Sequence, residues 1–275
     1  MGVKAVLAKH GCSLLACILL LLPSTAKPQE SKSAPPKTIH VFVALADNQS
    51  QGIVPVPAKL GNGEDPNNNL YWGSVYGVKT FFSKSSDWQL LATRQGPKAE
   101  VLERCIFKHR SKNVYLIADA YHGNQIKQAV IDFLQAAAGA NPETITLKTS
   151  SQTLTFEGGG NANLVAYVGH DGLMDFQLSS LPQKRNGSWR ETIILACYSK
   201  AFFGQSLHAT GAYPLLWTNG LMAPEAYTLK SAIDGWILKE SNQQIRERAA
   251  DAYHKYQNCS LNAARKLLTP AGDVF

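Results

Sequence analysis

Short apolar runs alternate with amphipathic stretches along most of this chain. Ile39–Ala46 (IHVFVALA) is dense in β-branched and aromatic residues and reads as a strand. Val114–Ala118 (VYLIA), Leu164–Val168 (LVAYV), Thr192–Ala196 (TIILA) and Tyr213–Thr218 read the same way. These runs are short and nearly continuous in apolar character, as strands buried on both faces are. Thr153–Phe156 is a further candidate, either an edge strand or one arm of a hairpin, just before Gly158-Gly159-Gly160. Helical spacing predicts Gln125–Ala138, with Ile126, Ala129, Val130, Phe133 and Leu134 on one face. Helices are also predicted over Leu70–Phe82, despite Gly73 and Gly77, and over Lys200–Ala209, Glu225–Lys239, Asn242–Tyr256 and Leu261–Leu268. Asn62–Asn69 reads as a loop, and no internal repeat or second-domain linker divides the chain.

Apolar strands alternating with helices predict an α/β fold, a three-layer sandwich with a mostly parallel central sheet and helices on both faces. Ligands of such sheets bind beyond the carboxyl ends of the strands. The polar residues that end each run are therefore the first place to look for chemistry. They are Asp47-Asn48, then Asp119 with His122 three residues on, then His170-Asp171, Cys197 and Asn219. Parallel strands would bring all of them to one rim.

Composition narrows the class. The chain has 275 residues, 45% hydrophobic and 17% charged, which excludes a disordered protein. Five cysteines in this length do not make a disulfide-stapled miniprotein. The formal charge of +7 is spread out. Its densest stretch, Lys108-His109-Arg110-Ser111-Lys112, reads as a solvated turn. No zinc-knuckle, helix-turn-helix or RNA-binding signature is present, so nucleic acid is not an expected partner.

The N-terminus has the pattern of a signal peptide over residues 1–26. Lys4 and Lys9 precede the apolar run Leu14–Leu22, and Ser24 and Ala26 are the small residues a signal peptidase prefers. The run is short for a bilayer span, which needs ~20 apolar residues. A lipid anchor on Cys17 fits less well, because the apolar run continues past it. Cleavage after Ala26 would remove Cys12 and Cys17, leave no membrane span, and place the chain in the periplasm or outside the cell. The polar, Pro-rich stretch 27–38 then reads as a disordered leader, and 39–275 as a single domain. Cys105 and Cys259 are left as a pair that an oxidising compartment would allow to bridge, given suitable geometry. Asn48, Asn186 and Asn258 begin glycosylation-type tripeptides, which matter only in a eukaryotic source.

His170 and Cys197 are the residues with the clearest chemistry. A thiolate is the nucleophile in cysteine catalysis, and an imidazole makes it available near neutral pH. The connection Asp171–Glu191 exceeds the dozen or so residues that a parallel crossover needs. If the two strands are neighbours, ~4.8 Å apart, both side chains stand over one edge. Gly172, just beyond, permits close backbone approach and offers an N–H to a developing oxyanion. Asp47, Asp119 and Asn219 are candidates for contacting substrate on the same rim. No G-x-S-x-G elbow, Walker A loop or dinucleotide fingerprint is present.

LVAYVGHDG followed by TIILACYS resembles the caspase-like (clan CD) cysteine peptidases, the group that holds caspases, legumains, gingipains and separases. That group places a His-Gly after one hydrophobic strand and an Ala-Cys after the next. The architecture is similar over about Ile39–Trp236, although the matching motifs cover only about 164–172 and 192–199. The resemblance, to a divergent bacterial-type member, implies a caspase-like sandwich. It makes His170 the general acid or base, Cys197 the nucleophile, and the Gly172 and Cys197 amides the oxyanion hole. It implies a peptide or protein substrate and no cofactor. Asp171 stands where the family carries Gly. Ala-Cys-Tyr-Ser is closer to the legumain-type Ala-Cys-x-Ser than to the caspase Gln-Ala-Cys-x-Gly, so aspartate specificity does not carry over.

Two other functions use the same rim. Asp47, Asp119, His122, His170 and Asp171 would hold a metal in a hydrolase if they converged, although their spacing fits no strong metal motif. An exported binding module with an inert Cys197 would need none of this chemistry. The oligomeric state is left open.

Overall fold

A computed structural model describes residues 1–2, 35–148, 152–185 and 189–270. The predicted signal peptide beyond its first two residues, the leader up to residue 34, and the Asn186 tripeptide lie outside the described residues. The chain runs β1 (Lys37–Ala44), α1 (Val78–Lys84), β2 (Trp88–Gln95), β3 (Val101–His109), β4 (Val114–Tyr121), α2 (Ile126–Ala137), β5 (Pro142–Lys148), β6 (Thr153–Gly159), β7 (Leu164–Val168), β8 (Glu191–Leu195), α3 (Ser199–Thr210), β9 (Tyr213–Thr218), α4 (Ala226–Ile237), α5 (Asn242–Gln257), α6 (Leu261–Leu267) and β10 (Leu268–Pro270).

The central sheet has eight strands in the order β10-β9-β8-β7-β1-β4-β3-β2. Its middle, β9-β8-β7-β1-β4, is parallel. β3 and β2 extend one end antiparallel, and β10 closes the other. The α/β expectation therefore holds in its coarse form, a large, mostly parallel sheet between helices. The chain builds outward from β1 to β4, then returns past β1 to β7 and continues the other way. The order thus reverses between β1 and β7, which is where such sheets open a crevice for ligands.

Alternation along the strands sorts the core into two faces. Val41, Val43, Ala166 and Ile193 point to α1, α4 and α5, and pack on Phe82, Tyr227, Ile233 and Ala249. Phe42, Tyr167, Ile194 and Trp217 point to α2 and α3, and pack on Phe133, Phe203 and Leu207. α2 buries the predicted stripe of Ile126, Ala129, Val130, Phe133 and Leu134. The separate β5–β6 hairpin lays Ile145, Leu147 and Phe156 over Ile106, Tyr115 and Ile117 on β3 and β4.

Several boundaries move. Lys37 and Thr38, assigned to the leader, pair with Val114 and Tyr115 and belong to β1. The predicted helix over Leu70–Phe82 shrinks to α1. Residues before it turn around the fully buried Asn69, whose amide bonds the backbone of Ala46, Asn62 and Tyr71. Those bonds give the backbone a better partner than the next helical turn would. β4 does not end at Asp119 but runs two residues further, to Tyr121.

Candidate active site

The register sets the site. Val168 on β7 is level with Leu195 on β8, and the Gly169 N–H continues the ladder to the Leu195 carbonyl at 3.2 Å. His170 and Cys197 each follow two residues after that pair, so they leave neighbouring parallel strands at the same height. Both line one cavity of about 280 Å³. Its other walls come from loops that follow the carboxyl ends of the parallel strands: Gly52–Val56 and Leu70-Tyr71 after β1, Gly169 and Met174 after β7, and Leu221–Pro224 after β9. The rim predicted from the sequence is thus assembled for these two residues.

Gly169 makes the exit from β7 possible. Its φ is 151°, and a Cβ there would lie 2.9 Å from the Ala44 carbonyl of the adjacent strand. The Tyr167 hydroxyl donates to the His170 carbonyl at 2.8 Å and fixes the backbone beyond the turn. The imidazole is buried, and its Nε2 pairs with Asp175 Oδ2 at 2.7 Å. Asp175 also accepts the Gly52 N–H at 3.0 Å, so one carboxylate couples the His170 loop to the loop after β1.

Cys197 sits at a sharp corner between β8 and α3. Tyr198, directly after it, takes the left-handed conformation with φ 49°, a costly one for a residue with a side chain. Hydroxyls hold the corner. Ser199 Oγ donates to the Ile194 carbonyl and accepts the Thr218 N–H, while Thr218 Oγ1 accepts the Ser199 N–H and donates to the Ala196 carbonyl. The sulfur lies against the loop after β9, 3.4 Å from the Met222 N–H and 3.6 Å from its carbonyl. Among the described residues no direct hydrogen bond joins Cys197 to His170; each is held by its own partner and faces a shared space. Burial pushes the Cys197 thiol up, the Met222 backbone opposes this, and the Asp171 charge adds to it. The resting sulfur is therefore a thiol that needs a base.

Asp171 is fully buried. One oxygen accepts the Leu173 N–H at 3.0 Å and caps the short turn Gly172–Met174; the other has no partner. Burial pushes its carboxyl up to about 7, against the Leu173 hydrogen bond and with help from Asp175. Gly172 is the buried residue of that turn and is not among the cavity's lining residues, whereas Gly169 is.

The other predicted rim residues go elsewhere. Asp47 closes its own loop, accepting from the Gln49 N–H and the Ser50 hydroxyl. Asn219 bonds Thr269 and anchors β10. His122 pairs with Glu64 at 2.6 Å. Asp119 lies within β4 and not at its end, in a separate cavity of about 300 Å³ between β4, α2 and β5. There it takes two hydrogen bonds from Arg104, at 2.6 and 2.7 Å, and one contact of 2.9 Å from His40 Nε2. Arg104 also grips Glu143, and His40 Nδ1 accepts the Gly159 N–H. Burial alone would raise the Asp119 carboxyl, but Arg104 and His40 hold it well below the usual carboxylate range. The five residues of the metal reading therefore do not converge, and no group of three or more metal-ligating side chains occurs among the described residues. Cys105 and Cys259 are free thiols, Cys105 buried on β3 and pushed up to about 12 by that burial. No helix among the described residues is long and apolar enough to cross a membrane.

Sequence reasoning missed Asp175, Gly169 and the two cavity loops. Asp175 lies five residues after His170 in a segment with no periodicity to mark it. The apolar Gly52–Val56 and Leu221–Pro224 segments read as plain connections. Comparison with known proteins finds no matching family, no matching curated protein and no matching solved structure.

Proposed function

We propose that this chain is an exported cysteine peptidase of the caspase-like kind, with Cys197 as nucleophile and His170 as its acid–base partner. The observation that carries the proposal is the level exit of both residues from neighbouring parallel strands into one cavity. The run of His strand β7, Cys strand β8, helix α3 and strand β9 also supports the resemblance seen in the sequence. The signal-like N-terminus supports export.

In the reaction, the Cys197 sulfur bonds to the substrate's carbonyl carbon as its proton passes to His170. The imidazole then gives that proton to the leaving amine as the C–N bond breaks. Water hydrolyses the thioester, and the thiol regains a proton. Asp175 is a positioning residue: by holding Nε2 it leaves Nδ1 to exchange the proton. Cys197 lines the cavity where the oxyanion would form and its backbone N–H is the candidate donor, since the Gly169 N–H is already given to the Leu195 carbonyl.

The test is labelling of the purified protein with peptidyl electrophiles, followed by peptide mapping. Modification at Cys197, absent in Cys197→Ala and slowed in His170→Ala, is the expected result. A Cys197 that reacts no faster than a free thiol would instead favour the inert binding module.

A further inference from the structure

We propose that the Cys197–His170 cavity selects a large, uncharged, apolar side chain on the acyl side of the bond that Cys197 attacks; this rests on the peptidase reading above. Apart from His170, no residue lining the cavity among those described carries an ionisable acid or base of ordinary charge at neutral pH. Two loops supply aliphatic walls, Ile53, Val54 and Val56 from one and Leu221 and Met222 from the other. Val54 and Leu221 are 82% and 67% exposed. Large aliphatic side chains held that open on both lips of a reactive cavity offer area that only a ligand would cover. The volume of about 280 Å³ suits one bulky side chain and its backbone better than an extended ligand.

The surrounding charges point the same way. Asp171 and Glu225 directly follow the lining residues His170 and Pro224, and Asp175 pairs with His170. Asp171 is sealed in its turn, Asp175 is taken by His170 and the Gly52 N–H, and Glu225 is held by Tyr227 and Gln257. An acidic side chain would find no lysine or arginine among the lining residues and would lose its hydration against aliphatic walls. A basic side chain would find no carboxylate among the lining residues and would lose its hydration against aliphatic walls. An apolar side chain loses nothing and gains burial.

A set of peptidyl electrophiles that differ only at the residue beside the reactive group decides this on the full chain. Probes with Leu or Phe are expected to label Cys197 at least about 100-fold faster than probes with Asp or Arg, with Gly between them. Equal or faster labelling by Asp or Arg overturns the proposal. Leu221 is exposed, so Leu221→Asp keeps the fold, and it should raise the Arg-to-Leu labelling ratio about 10-fold; an unchanged ratio also counts against the proposal. Iodoacetamide, which has no side chain to select, separates the two levels. If it labels Cys197 rapidly and in a His170-dependent way while the peptide panel shows no apolar preference, only the specificity is wrong. If it labels Cys197 no faster than a free thiol and the panel does not label it either, the peptidase reading and the specificity fall together.

Discussion

The Asp119–Arg104 cluster and the Cys197–His170 cavity draw on strands of one sheet, yet they differ in where their charges go. In the first, every strong group is satisfied by another: Arg104 holds two carboxylates, and His40 is bonded through both ring nitrogens. Such a network fixes β3, β4 and the β5 hairpin against one another. In the second, the thiol rests on a backbone, the imidazole on Asp175, and one Asp171 oxygen has no partner. The polar groups of the first cluster cancel one another, whereas His170 and Cys197 are held apart by separate partners on one cavity. A strand-end polar residue in a sequence does not reveal to which kind it belongs.

The largest break between the two regions should come from Cys197→Ala. Peptidase turnover is expected to fall at least about 1000-fold, with the thermal midpoint nearly unchanged, by activity assay and calorimetry. Arg104→Ala should do the opposite. It leaves Asp119 buried without its main partner and should cost about 3–5 kcal/mol in denaturant unfolding, while the folded fraction labels at the normal rate. A loss of labelling in the folded fraction would show that the two regions are coupled.

Asp171→Asn probes the unpartnered oxygen. The folded-state carboxyl is raised from 3.8 to about 7, so between those values the native state holds the proton more tightly than the unfolded chain does. Stability contributed by this group therefore falls as pH rises through that window and stays flat above it. The Asn variant keeps the cap on Leu173 and should gain of order 2–4 kcal/mol over wild type at pH 8, with little difference at pH 4. Its Cys197 thiol should also titrate lower, because the Asp171 charge is gone. Asp175→Asn should lower kcat about 10–100-fold with KM nearly unchanged, since it weakens the hold on the imidazole while the amide oxygen can still accept the Gly52 N–H of the apolar wall. Gly52→Ala is the mildest change. Its Cβ would lie 2.5 Å from Asp175 Oδ1, so the carboxylate must shift, and a severalfold loss of kcat is expected.

The sequence carried the parallel half of the sheet well, because strands buried on both faces leave continuous apolar runs. Tyr213–Thr218 and Leu164–Val168 are β9 and β7 to the residue. It carried β2 and β3 poorly. β2 lies at the sheet edge with most of its side chains half-buried or exposed, and β3 mixes charged and apolar residues because Arg104 is buried in a pair. A paired buried charge looks like a surface residue until its partner is seen. His170 and Cys197 were legible for the same reason as their strands, since each ends an apolar run. Asp119 was misplaced because it interrupts such a run while remaining inside the strand.

The Ser199–Thr218 hydroxyl pair has a kinetic consequence. It ties the corner that carries Cys197 to the backbone of two strands, so that corner opens to solvent only when the sheet itself opens. Among the described residues, the lips of the cavity have no comparable tie at Val54 or Leu221. Amide hydrogen exchange at Ser199 and Thr218 should be slower by orders of magnitude than at either lip. Any adjustment to a ligand would then fall to the lips, on timescales of ns to μs, around the more tightly held corner at Cys197.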